Sequence, residues 1–91
     1  MEDGREDFNH RAAIFQTWMR LEEHEAAHPG QPYATVLHLR TSRPKADIAA
    51  LAQEFSEMVG SPVSPEAFRK LLSHARRKFF IVWTELGYPG P

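Results

Sequence analysis

Apolar side chains recur at spacings of three and four along most of the chain, and glycine or proline interrupts them at three places. Phe8, Ala12, Phe15, Trp18 or Met19, and Leu21 or Glu22 keep helical spacing with no breaker before Pro29, which predicts a first helix from about residue 8 to about 27. His28-Pro29-Gly30 ends it, because proline lacks an amide hydrogen and restricts the residue before it. Pro32 suits the first turn of a second, short helix in which Tyr33, Val36, Leu37 and Leu39 supply the apolar face, ending near Arg40. A strand competes for Tyr33-Ala34-Thr35-Val36-Leu37-His38-Leu39-Arg40, since Tyr, Thr and Val favour sheet, but no partner strand is visible, and helix is the reading adopted.

After the turn Thr41-Ser42-Arg43-Pro44, a third helix is expected over about 45–59 with Ile48, Leu51, Ala52, Phe55 and Met58 or Val59 on one side, capped by Gly60. Ser64 then has the form of an N-cap, with Pro65 at the first helical position and Glu66 in the first turn, where its charge meets the positive helix end. The fourth helix is the best-defined element. Phe68, Leu71, Leu72, Ala75, Phe79, Val82 or Trp83, and Leu86 follow at threes and fours until Gly87 and Pro89 stop them. A helix from Pro65 to Leu86 would be roughly 33 Å long, so its far end must project or pack back on the first helix.

These elements predict an all-α fold, a small bundle of about four helices in one domain over 1–91. Residues 1–7 would be a flexible arm, 8–28 the N-terminal helix and 32–86 a portion in which the third and fourth helices form a helix-turn-helix. With 42% hydrophobic and 11% aromatic residues the chain has enough apolar surface to fold.

Composition narrows the chemistry. There is no cysteine, so disulfides, thiolate metal sites and thiol nucleophiles are excluded. No apolar run approaches a membrane span and the start is acidic, so a cytoplasmic protein with no membrane partner is expected. His24 and His28 are four apart beside Glu25, but two ligands do not make a structural zinc site, and no metal or other cofactor is expected. Phosphate-cradling glycine loops, HExxH and nucleophile-elbow motifs are missing, so no enzyme activity is expected.

Formal net charge is only -1, yet its distribution is uneven. Residues 1–30 hold seven acidic against three basic side chains; residues 31–91 hold eight basic against five acidic. Five of the basic ones, Arg69, Lys70, Arg76, Arg77 and Lys78, fall within ten positions of the fourth helix. Two helices joined by a glycine-containing turn, the second charged on its outer side, have the sequence form of a helix-turn-helix. In that geometry the start of the second helix meets base edges while flanking cations meet phosphates.

From Lys45 to Phe79 the chain resembles region 4 of the sigma-70 family of RNA polymerase sigma factors, especially the extracytoplasmic type. Leu51-Ala52 resembles the family's apolar-alanine pair in the support helix, and Gly60 marks the turn. Val63-Ser64-Pro65-Glu66-Ala67-Phe68-Arg69 stands where the recognition helix begins, and Leu72-Ser73-His74-Ala75-Arg76-Arg77-Lys78-Phe79 stands at the family's Leu-x-Arg-Ala-Arg segment. Residues 30–40 are also similar to what precedes this segment in sigma-like proteins of planctomycete-type bacteria. The stretch from Leu51-Ala52 to Gly60 is about four residues longer than usual, His74 replaces the first arginine, and Leu71 replaces a basic or polar residue. Region 2, which melts the promoter in that family, has no counterpart here.

The resemblance implies double-stranded promoter DNA of the -35 type as a partner. By position it assigns Ser64, Pro65, Glu66, Arg69 and Lys70 to that element and Arg76 and Arg77 to phosphate contact or helix packing; the helix-turn-helix geometry adds Ser73 to the groove side and Lys78 to the backbone contacts. The resemblance also implies contact with the beta-subunit flap of RNA polymerase core. Residues 79–83 clothe nearly the whole helix circumference, so Trp18, Phe80, Ile81 and Trp83 are candidate interface residues, covered by the first helix acting as a lid or by a homodimer. The alternative function is a non-catalytic protein-interaction module that does not bind DNA.

Overall fold

The computed structural model describes residues 9–89, so Phe8 and the expected N-terminal arm lie outside the described residues. Four helices hold most of these residues: α1 (His10–Ala27), α2 (Tyr33–Ser42), α3 (Ile48–Val59) and α4 (Pro65–Glu85), with no strand among the described residues. The segment for which sheet competed is helical. Its Ala34, Val36, Leu37 and Leu39 are all buried, because α2 is enclosed by α1, α3 and α4 and a helix surrounded by neighbours is apolar over most of its circumference.

Each helix begins and ends for a local reason. Asn9, Asp47 and Ser64 cap α1, α3 and α4 by accepting the amides of Ala12, Ala50 and Ala67. Gly60 closes α3 at φ 72°, a left-handed backbone that favours glycine. The N-cap position of α2 is Pro32, which makes no side-chain cap bond. Glu25 of α1 does that work from outside: its carboxylate accepts the Thr35 amide at 3.0 Å and the Thr35 hydroxyl at 2.7 Å, placing negative charge at the positive end of α2.

The core joins Leu21, Val36, Leu37, Leu39, Leu51, Phe55, Phe68 and Leu72 around the first half of α4, with the Phe55 and Phe68 rings 5.7 Å apart. α4 packs against all three other helices, whereas α1 and α3 do not meet among the described residues. Its far half packs back on α1, and the molecule measures 55 Å along its longest axis against 16 Å along its shortest.

Two apolar faces differ from the sequence expectation. In α1 the buried line is Ala13, Thr17 and Leu21, while Phe15 is 64% exposed and Met19 44%. Apolar residues are spread around α1, and it is the small ones, Ala13 and Thr17, that let the helix axes approach. Thr17 is fully buried at no polar cost, because its hydroxyl donates to the Ala13 carbonyl at 2.8 Å. In α3, Leu51, Ala52 and Phe55 are buried as expected, but Met58 and Val59 at its end are exposed.

Candidate nucleic-acid interface on α4

The turn before α4 is built by side chains on α3 as well as by its own residues. The Ser56 hydroxyl donates to the Ala52 carbonyl at 2.7 Å and accepts the Val63 amide at 2.8 Å, so one side chain ties residue 63 to the preceding helix. Ser64 then accepts the Ala67 amide at 3.1 Å and Pro65 occupies the first turn. On the other side of α3, the Arg40 guanidinium donates to the carbonyls of Arg43, Pro44 and Ala46, and Arg43 pairs with Glu54. Both ends of α3 are thus fixed to what flanks them.

Burial of Phe68, Leu72, Ala75 and Val82 defines the inner side of α4. At 100° per residue the opposite side carries Glu66, Arg69, Lys70, Ser73 and Arg77, with Arg76 and His74 at its margins, and all seven are exposed. From Glu66 to Arg77 this strip runs about 17 Å along the helix. Among the described residues, Arg69, Lys70, Arg76 and Arg77 have no ion-pair partner, and the i,i+4 spacing of Glu66 and Lys70 does not bring them into one. Ser64 and Pro65 lie at the exposed start of the same helix.

Lys78 leaves this group. It is half-buried on the core margin and lines a shallow recess with Arg20, Glu23 and Glu85, so its charge is directed toward the α1 side of the bundle. Three consecutive cations turn through 200° of helix, and the last of Arg76, Arg77 and Lys78 is the one carried to the inner margin.

The four candidate interface residues divide in the same way. Trp18 is half-buried, stacked on the His38 ring at 4.1 Å and edge-on to Phe79 at 5.6 Å. Trp83 is half-buried, its indole N–H donating to the Pro89 carbonyl at 2.6 Å, with Tyr88 edge-on to it. Both are absorbed by the chain itself. Phe80 and Ile81 remain 46% and 39% exposed and continue the outer side of α4 beyond Arg77.

The histidines make local contacts. His24 and His28 stack at 4.3 Å, and His24 Nε2 lies 2.6 Å from Gln31 Oε1; His38 Nε2 is 3.1 Å from Glu22. Among the described residues no three metal-ligating side chains converge, and no helix is long and apolar enough to cross a membrane.

Sequence reasoning missed Glu25, Arg40 and Ser56. Glu25 and Thr35 are ten residues apart and on different helices, so no periodic signal links them. Ser56 did carry one: a hydroxyl four residues before a terminating glycine, within reach of a turn that cannot satisfy all its own amides. Compared with protein-family models, curated proteins and solved structures, the chain matches none.

Proposed function

We propose that α3, the turn and α4 work as a helix-turn-helix of the sigma region 4 kind, contacting -35-like promoter DNA in transcription initiation without catalysing a reaction. The observation that carries this reading is the outer side of α4. Arg69, Lys70, Arg76 and Arg77 are exposed and without ion-pair partners among the described residues, and they follow a capped helix start held to α3 by Ser56. Cations on one face of a helix meet phosphates, and the helix is narrow enough to enter the major groove.

Glu66 sits at the N-terminal end of this strip, in the first turn of the helix. It repels phosphates, so it serves the reading only as an acceptor for a cytosine amino group, and otherwise as a stabiliser of the first turn. Overall charge does not help either; at -1 it supplies no long-range attraction, and the interaction rests on the local strip.

A protein-docking role is favoured by a different observation: Phe80 and Ile81, exposed at the end of the same helix. An apolar pair beside a cationic strip suits a surface of RNA polymerase, by resemblance the beta-subunit flap, and this role is compatible with DNA contact as well as a substitute for it. Fluorescence anisotropy on a pool of random duplexes at low salt separates the two. DNA binding predicts a saturable rise that salt abolishes. A signal no greater than that of an uncharged control protein rejects DNA binding and leaves protein docking.

A further inference from the structure

We infer that the outer side of α1 is a dimer interface, on which two copies of this chain pair antiparallel about a two-fold axis between Phe15 and Met19. The inference does not depend on DNA binding.

The inner line Ala13, Thr17 and Leu21 fixes what lies opposite it. At 100° per residue the outward strip runs Arg11 and Ala12, then Phe15, then Met19, then Glu22 and Glu23, then Ala26, all of them exposed. Phe15 is the most exposed of the large apolar side chains among the described residues, at 64%, and Met19 follows one turn later at 44%. An aromatic ring and a thioether stacked on the outside of a helix leave apolar surface that the fold itself does not use.

The charges around that surface identify the occupant. The strip is basic at its N-terminal end and acidic at its C-terminal end. In an isologous pairing a residue i faces a residue j whose numbers add to a nearly constant sum. Setting Phe15 against Met19 sets Arg11 against Glu22, on the same flank of the strip, and Ala12 beside Glu23 on the other, twice over by symmetry. The same face is therefore complementary to itself when reversed: apolar centre on apolar centre, cation on carboxylate at both ends. A parallel pairing would place Arg11 on Arg11 and the carboxylates on one another. Within the chain, Arg11 has no ion-pair partner among the described residues, and Glu22 is held only by His38 at 3.1 Å through one oxygen, which leaves its second oxygen for Arg11 of the other copy. Alanines at both ends of the strip allow the two helices to lie close.

One helix against one helix is a small interface, at or below the low end of the range for specific complexes, about 1,200 Å². The pairing is accordingly a weak one that appears with rising concentration. It leaves the outer side of α4 uncovered, because α1 packs on the inner side of α4 and presents its own outer side away from it.

Sedimentation equilibrium of the whole chain over a concentration series at low salt tests the inference. The expected result is a weight-average mass rising from 10.4 kDa toward twice that value. Phe15→Glu should stay monomeric with the same helical circular dichroism as the parent, since the side chain is outside the core. Arg11→Glu should weaken association at least several-fold, and Arg11→Glu combined with Glu22→Arg should restore it, which only the antiparallel register predicts. A monomer throughout the series, dimerisation unaffected by Phe15→Glu, or a double variant no better than Arg11→Glu alone would each overturn it.

Discussion

The outer sides of α1 and α4 are both free of the core, and they are built in opposite ways. On α4 the sequence places cations and hydroxyls outside and keeps Phe68, Leu72 and Ala75 inside, so one reading of the apolar pattern finds both sides. On α1 the inside is made by Ala13, Thr17 and Leu21 while Phe15 and Met19 point outward. Of the large hydrophobes of α1, Leu21 alone is fully buried. Where a helix packs through small residues, burial follows axis distance rather than side-chain hydrophobicity, and leftover apolar surface is available to another molecule.

The largest expected effect comes from the residue that supports everything else. Phe68→Ala, in the fully buried ring pair with Phe55, should cost about 3–5 kcal/mol in urea unfolding and abolish the properties of both outer sides together. Next is the attachment of α1 to α2. Glu25→Ala removes the acceptor for the Thr35 amide and hydroxyl and should cost roughly 1–2 kcal/mol by the same assay, with the α4 side unaffected.

Smaller still is the start of α4. Ser64→Ala should cost about 1 kcal/mol and Ser64→Gly only a few tenths, a contrast specific to the cap bond with Ala67. The smallest effect sharpens the comparison most. Phe15→Ala should change unfolding free energy at low protein concentration by no more than about 0.5 kcal/mol. A loss of 2 kcal/mol or more there would mean that Phe15 belongs to the core and that the two outer sides differ less than described.

Most of the fold could be read in the chain because breakers and caps sit at its joints. Pro29, Gly60 and Gly87 end helices, and Ser64-Pro65-Glu66 begins one; the observed boundaries lie within three residues of those expected. α4 was also legible by face as far as Lys78, since its apolar positions up to there form one stripe. α1 was not, because Ile14, Trp18, Phe15 and Met19 mark one arc of about 140° while the buried line of Ala13, Thr17 and Leu21 runs beside that arc through smaller residues. The candidate strip on α4 followed from sequence except at Lys78, whose place at the inner margin depends on where α1 lies. The supports from Glu25 and Arg40 depend on which helices and turns become neighbours, which a one-dimensional pattern does not contain.

The central claim, that the outer side of α4 meets DNA phosphates, is tested most directly by the salt dependence of duplex binding. Each phosphate contact contributes about -0.9 to the slope of log K against log salt, so four cations predict a slope of roughly -3.6 for the parent protein. Arg76→Ala with Arg77→Ala should reduce its magnitude by about 1.8, lower affinity at every salt concentration and leave the unfolding curve in place. A slope and affinity the same as the parent's would contradict the account.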